Sequence, residues 1–286
     1  MYKVVKNEMI SEGIYLLEVI APLVVKKCLP GQFCIVMANE TSERIPLTIY
    51  KYDRDTFVLS MIYQVVGAST LELTSLKDEI YSVVGPLGNP SELVINVDTL
   101  KNKRVLFVAG GVGIAPVMPQ ITYLISHGVL CDLVYGAKTK KLIILEDEIK
   151  KIACDYVIMT DDGSYGKKGT VVDAMDNLEK YDECVAIGPV VMMKYVSLKT
   201  KDKVPTIVSM NPIMVDGTGM CGACRLIVDG EVKFACVDGP EFDGHQVDFD
   251  LAIERMNIYK TFEGRKYLEM LEGKTHHGGC GECNHE

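Results

Sequence analysis

The run RVLFVAGGVGIAPVMPQITYLISHG, residues 104–128, decides the fold. Its opening, Val105–Gly110, is continuously apolar, the pattern of a strand buried on both faces of a parallel sheet. A glycine-rich turn follows, then a helical pattern that stops at Gly128. The strand texture returns at CDLVYGA (131–137), DYVIMT (155–160), ECVAIG (183–188) and TIVSM (206–210), with helical patterns between. This alternation predicts an open βαβ sheet. Such sheets bind ligands beyond the carboxyl ends of their strands. Gly110, Gly111 and Gly113 stand at that place after the first strand, where small residues allow a tight turn and close backbone approach to a diphosphate. Their spacing, G-G-x-G, is not the G-x-G-x-x-G dinucleotide fingerprint, so the motif alone is weak.

Before this run the texture is different. KVVKNEMI, GIYLLEVIA, QFCIVMA, PLTIYKY, TFVLSMIYQVV and EIYSVVG are β-rich and separated by turn residues such as Pro30-Gly31, Asp53, Asp55 and Gly85-Pro86. They predict a small antiparallel barrel or sandwich. Two of its patches suit chemistry. ERIPLTIY (43–50) presents Thr48, whose hydroxyl can bond the edge of a ring system; an ordinary edge strand reads equally well. IYQVVGAST (62–70) brings Gly67, Ala68, Ser69 and Thr70 to the start of a short helix, where free N–H groups suit a pyrophosphate or simply form an N-cap. The polar connection ELVINVDTLKNK puts a boundary near Lys101.

After the sheet comes DGTGMCGACRLIVDGEVKFAC, residues 216–236. Cys221 and Cys224 lie in a Gly-rich loop, and Cys236 follows a pair of short strands joined by Asp229-Gly230, a hairpin signal. Three thiolates among small residues suit an iron–sulfur cluster, whose sulfurs need close backbone N–H groups. A zinc knuckle and unpaired structural thiols are the alternatives. Zinc prefers a second C-x2-C or a His pair nearby, and here the fourth place, before Cys221, holds Asp216. An ordinary turn is the other reading of Asp216.

The 286 residues suffice for about two domains of ordinary size. The net charge of −9 argues against a nucleic-acid surface or an anionic membrane face. No apolar run approaches a membrane span, and the start, MYKVVKNEMI, lacks a signal peptide's apolar core. Ten Cys without such a signal predict a reducing cytoplasm. Cys28, Cys34, Cys131, Cys154 and Cys184 stand singly in apolar runs and read as small buried hydrophobes. His245 reads as a surface or capping residue. KTFEGRKYLEMLEG predicts an amphipathic helix, and the tail HHGGCGECNHE holds Cys280 and Cys283 near His276, His277 and His285, either disordered or a second metal site.

The pattern D-x4-C-x2-C-x11-C resembles the cluster domain of dihydroorotate dehydrogenase electron-transfer subunits, which have Cys where Asp216 stands. That departure resembles the small subunits of NADH-dependent reduced ferredoxin:NADP oxidoreductases, also known as sulfide dehydrogenase beta subunits, within the flavoprotein reductase superfamily. The resemblance implies three parts: an FAD-binding β-barrel over 1–100, an NAD(P)-binding α/β domain over 101–209 and a [2Fe–2S] domain over 210–286. It puts Pro46, Leu47 and Thr48 on the flavin edge, Ile62, Tyr63 and Gln64 on the second flavin strand, and Gly67, Ser69 and Thr70 at the phosphate turn. Arg44 lies four residues before Thr48 rather than three, and Gln64 replaces an Arg of the orotate-linked relatives. The superfamily's nucleotide turn continues here through Pro116. Its T-[DN]-D-G-S loop matches Asp161, Asp162 and Gly163, and its G-P-x-x-M end matches Gly188, Pro189 and Met192, the last of which reads equally well as core packing. Lys138, Lys140 and Lys141 would suit a 2′-phosphate and Glu146 and Asp147 a free ribose; the resemblance favours NAD(H). It gives Asp216, Cys221, Cys224 and Cys236 as cluster ligands. The implied function is an oxidoreductase subunit passing electrons between NAD(H) and a partner through FAD and the cluster. The implied partner is a larger flavin/iron–sulfur subunit resembling the glutamate synthase small subunit, with ferredoxin and NADP(H) reached through the complex and electron bifurcation on the partner. The rivals are the dihydroorotate dehydrogenase subunit itself, against which Asp216 and Gln64 speak, and a non-catalytic redox carrier or sensor, against which the Gly110–Gly113 turn speaks.

Overall fold

A computed structural model describes residues 1–152 and 155–272, so Cys154 and the tail with its second C-x2-C lie outside the described residues. The first part is a seven-stranded antiparallel sheet ordered β6-β1-β2-β5-β4-β3-β7. The strands are β1 (Tyr2–Ser11), β2 (Ile14–Ile20), β3 (Phe33–Met37), β4 (Ile45–Tyr52), β5 (Val58–Gln64), β6 (Glu79–Ile80) and β7 (Ser82–Leu87). The single run EIYSVVG divides at Tyr81: β6 pairs with β1 at one edge and β7 with β3 at the other. One stretch of chain thus serves both edges, which curls the sheet into a barrel and leaves neither edge bare. Alternation sorts the faces, so that on β4 Leu47 and Ile49 enter the barrel core while Pro46 and Thr48 stay half-buried on the outer face. Short helices α1 (Pro22–Val25) and α2 (Ala68–Leu73) complete this part, and α3 (Glu92–Ile95) leads out of it.

The second sheet is ordered β11-β10-β9-β8-β12-β13-β16, and its first six strands are parallel. They are β8 (Arg104–Gly110), β9 (Leu130–Ala137), β10 (Asp155–Thr160), β11 (Lys167–Lys168), β12 (Glu183–Ile187) and β13 (Thr206–Ser209). Burial on both faces shows in the side-chain period. Val105, Phe107 and Ala109 of β8 pack under α4 (Ile114–Ser126), while Leu106 and Val108 pack under α6 (Val190–Thr200). Helix α5 (Glu146–Ile149) follows β9.

The cluster hairpin, β14 (Arg225–Val228) and β15 (Glu231–Phe234), turns at Asp229 and Gly230 with φ of 51° and 73°. Two consecutive left-handed residues give the type I′ turn that this dipeptide favours. The sequence does not announce the next element: β16 (Glu241–Asp243) returns to the middle sheet and pairs antiparallel with β13. Helices α7 (Phe249–Met256) and α8 (Lys260–Glu272) end the described chain. Asp248 caps α7 by accepting from the Leu251 N–H at 3.0 Å. His245 bonds Thr200 Oγ1 at 3.1 Å, a surface role. Cys28, Cys34, Cys131 and Cys184 are buried. Among the described residues no helix is long and apolar enough to cross a membrane.

The three parts share cores rather than touching at edges. Phe33 and Ile35 of the barrel, Leu106 and Val108 of the second sheet, and Cys224 and Cys236 of the hairpin unit belong to one buried cluster. Ile14, Tyr50 and Ile62 of the barrel join the core under α4.

Glu241, on β16, reaches into this junction and accepts from Gln120 Nε2 at 3.2 Å and from the Glu92 N–H at 3.4 Å. Burial pushes its pKa up from 4.5 to about 7 despite those bonds. The folded state therefore prefers the protonated acid. That stabilisation is complete below 4.5 and is lost as pH rises through about 7. Among the described residues Gln120 Oε1 is buried without a partner, and an amide at 241 offers it a donor. Glu241→Gln should raise unfolding free energy above pH 7 by roughly 1 kcal/mol or more and change little near pH 4.5, as read by denaturant titration at the two pH values. An equal effect at both would contradict this.

Candidate functional site

A cavity of about 850 Å³ opens at the carboxyl ends of the parallel strands, a size suited to a cofactor. Gly110, Gly111, Asp161, Pro189 and Met192 line it from the second sheet, and Gln64 from the barrel. Val66, Val112, Lys138, Asp173 and Tyr195 line it as well. Spacing alone did not single these out, apart from Lys138, since they come from loops that only the folded sheet brings together.

Sterics explain the glycines. A Cβ on Gly188 would lie 3.0 Å from the backbone N and Cα of Gly110, so two strand ends meet backbone to backbone. A Cβ on Gly110 would fall 2.5 Å from Met192 Sδ, and one on Gly113 2.3 Å from the Ile187 carbonyl oxygen. Gly111, at φ 55°, faces open space and leaves the turn accessible. Met192 therefore does two things: it packs on the glycine pair and faces the cavity. Pro116 and Gly113 are buried in the turn's support. Asp162 folds the neighbouring loop, accepting from the Ser164 N–H at 2.9 Å and the Ser164 hydroxyl at 2.6 Å, with Gly163 at φ 75° completing the bend.

On the barrel, Leu47, Ile62 and Tyr63 are buried, whereas Pro46, Thr48 and Gln64 are half-buried, and of these Gln64 lines the cavity. At the α2 turn, Thr70 Oγ1 accepts from the N–H groups of Val66 (3.0 Å) and Gly67 (3.1 Å). Ser69 donates to Glu43 at 2.6 Å, and Glu43 also meets Lys266 of α8 at 2.7 Å. The space beside Gly67 is open, with nothing within 4 Å of where a Cβ would sit. An open turn carrying hydroxyls next to a half-buried strand face fits a flavin with its diphosphate at the turn. Arg44 points elsewhere: it donates through Nε to the Val215 carbonyl at 2.8 Å and through Nη2 to the Asp216 carbonyl at 3.2 Å.

The 216–236 loop gathers its thiols by backbone shape. Gly217, Gly219 and Gly222 all take positive φ, and a Cβ on Gly217 would strike Leu87 and Ile35 at 2.8 and 2.9 Å. Cys224 and Cys236 are buried with their sulfurs 3.2 Å apart. Cys221 is exposed, and the N–H groups of Ala223, Asp216 and Val215 hold its pKa down. Burial pushes Cys236 up to about 12, with the adjoining Cys224 thiol adding to it and the Gly219 N–H opposing. The Asp216 carboxylate accepts from the Thr218 N–H at 2.9 Å and from its hydroxyl, which keeps its pKa low. Two acceptor bonds leave lone pairs free on a carboxylate. Among the described residues no three such side chains converge as a single ion requires. Cys224 and Cys236 stand as a pair, and Asp216 and Cys221 precede them in the same glycine-rich loop with N–H groups aimed at the Cys221 sulfur, a donor set whose chemistry suits an iron–sulfur cluster.

These features define a class: an oxidoreductase subunit with a ferredoxin-reductase-like flavin-binding fold, a nucleotide domain and an iron–sulfur loop. The comparisons agree. The iron–sulfur cluster binding domain of dihydroorotate dehydrogenase B matches residues 211–248, and an oxidoreductase NAD-binding domain matches 107–198. A dihydroorotate dehydrogenase B (NAD(+)) electron transfer subunit homolog of Thermotoga maritima is 46% identical over 94% of this chain and 95% of its own. The electron transfer subunit of Clostridium acetobutylicum is 34% identical over 86% and 95%. The chain belongs to the family of dihydroorotate dehydrogenase B electron-transfer subunits and their homologues. A solved structure described as giving insights into flavin-based electron bifurcation via the NADH-dependent reduced ferredoxin-NADP oxidoreductase is 44% identical, with a TM-score of 0.86 over 95% of this chain and 98% of that one.

Because the Gly110–Gly188 approach leaves no room, Gly188→Ala should part β8 from β12 at a cost of about 1–3 kcal/mol in the cleft. We expect the NADH KM to rise roughly tenfold or more with flavin content kept, in steady-state assays with an artificial acceptor. An unchanged KM would remove the cleft as the nucleotide site. Asp216→Cys should keep a cluster but shift its potential and EPR signal; an unshifted potential would count against ligation by Asp216.

Proposed function

We propose that this chain is the subunit of a larger complex through which NAD(H) exchanges electrons with a partner flavoprotein. The observation that carries this is the cavity shared by barrel and sheet, with Gln64 on one side and Gly110, Pro189 and Met192 on the other. A nicotinamide in that cleft would face the barrel side on which Thr48 lies. When bound, FAD and a [2Fe–2S] cluster supply the exchange between a hydride and single electrons. The chain's own residues bind and orient. The Gly110–Gly111 turn admits the diphosphate, Met192 and Pro189 wall the nicotinamide end, and the Thr48 hydroxyl orients the flavin edge. Hydride transfer needs no general acid or base, and none is assigned.

NAD(H) is favoured over NADP(H) by how the nearby cations are used. Lys141 pairs with Glu12 at 3.2 Å, and Lys140 lies over the Tyr165 ring at 5.1 Å. Lys138 alone of the three lines the cavity, beside Asp161 and Asp173. A 2′-phosphate wants more positive charge than that.

The partner in this reading is a larger flavin/iron–sulfur subunit resembling the glutamate synthase small subunit. It would carry the bifurcating flavin and give access to ferredoxin and NADP(H) in the cytoplasm. The 44% identity and TM-score of 0.86 with the bifurcating-oxidoreductase structure support this choice, while the 46% identity with the Thermotoga maritima electron transfer subunit homolog keeps the orotate-linked subunit as the second reading.

Anaerobic mixing with NADH should bleach the bound flavin of the isolated chain, with NADPH reacting at least roughly tenfold more slowly, a discrimination of about 1.4 kcal/mol. No bleaching would favour a non-catalytic carrier or sensor, and faster reaction with NADPH would reverse the nucleotide assignment.

A further inference from the structure

Arg44 stands on the chain just before β4, the strand that carries Pro46 and Thr48, yet its guanidinium is turned away to the cluster loop. Its fork spans two consecutive carbonyls, 2.8 Å from Val215 and 3.2 Å from Asp216, at a sequence separation of 171 and 172 residues. Nη1 lies 3.9 Å from Met37 Sδ on β3. These hydrogen-bond partners are uncharged, and the guanidinium's charge acts on the nearby Asp216 carboxylate, helping to hold its pKa low. At the next residue, Gly217 lies against Ile35 and Leu87 of the barrel. The backbone that carries the Asp216 carboxylate is thus held on the barrel by a guanidinium fork and by close contact with a strand surface.

We infer that Arg44 is a positioning residue of the iron–sulfur loop, holding the Asp216 segment on the barrel and keeping a fixed positive charge beside the iron that Asp216 would hold. This rests on the proposed ligation by Asp216. Cluster reduction adds one negative charge, and a fixed cation nearby favours the reduced form. Arg44 therefore raises the cluster's reduction potential. A planar fork is needed to hold two carbonyls at once, which a Lys ammonium cannot copy. The short segment 44–48 then reaches both cofactors: Thr48 the flavin edge, Arg44 the cluster loop.

The test uses the full chain reconstituted with FAD, iron and inorganic sulfide, with Arg44→Gln, Arg44→Lys and Asp216→Cys measured in parallel by EPR-monitored redox titration and flavin content. Arg44→Gln should lower the cluster midpoint potential and alter the EPR line shape while FAD content stays at the wild-type level. Arg44→Lys, the milder variant should Gln fail to fold, should keep most of the potential, through its charge, but broaden the signal, through the loosened loop. A wild-type potential and line shape in the Arg44 variants, with FAD lost instead, would overturn the inference and make Arg44 a flavin diphosphate ligand. If Asp216→Cys shifts the potential and the Arg44 variants do not, the inference fails alone. If none of the three shifts it, the ligand assignment fails with it.

Discussion

The loop from Val215 to Cys221 is clamped to the barrel, and the rest of the molecule is arranged to permit that clamp. Arg44 holds its carbonyls, and Gly217 lets it lie so close to Ile35 and Leu87 that any Cβ would collide. Asn89 extends the attachment, donating its backbone N–H to the Gly239 carbonyl at 2.7 Å and its side chain to the Val237 carbonyl at 3.2 Å. Met214 and Cys224, which flank the loop, share one buried core with Phe33 and Ile35 of β3 and with the second sheet, and Leu87 of β7 packs against it. Groups that exchange electrons need fixed separation, and a continuous core supplies it where a flexible linker does not.

Within the loop, the two ends of the donor set meet different surroundings. Cys221 is exposed and favoured as thiolate by backbone N–H groups, while Cys224 and Cys236 are buried against one another. In the proposed ligand set Asp216 would add an oxygen, a harder donor than sulfur. A cluster held here would be unsymmetrical in ligand type, solvent access and hydrogen bonding, each of which moves a reduction potential. The family relation fixes the kind of molecule.

Much of this was legible in the residues. Period-two and continuously apolar runs located the strands of both sheets, since burial on one or two faces writes itself into sequence. Asp229-Gly230 announced its turn because left-handed backbone admits few residue types. Cysteine spacing marked the loop because thiolates gathered by one short segment have few other uses. What escaped was long-range. The run EIYSVVG reads as one strand, and only closure of the barrel divides it at Tyr81. Nothing local in Glu241–Asp243 says that it will pair with Thr206–Ser209. Arg44 meets the superfamily's flavin-strand pattern only with a one-residue offset, and its partners lie far along the chain. Val66, Val112 and Tyr195 reach the cleft from separate loops, so no motif contains them.

The central claim is that three sulfurs and one carboxylate oxygen hold a binuclear iron centre fed from a nicotinamide. The most direct measurement is iron and acid-labile sulfide content of anaerobically purified protein, followed by EPR after adding NADH. The account predicts about two irons and about two sulfides per chain, with a reduced binuclear signal appearing on NADH addition. Zinc in place of iron, or an iron centre that stays silent while the flavin is reduced, would contradict it.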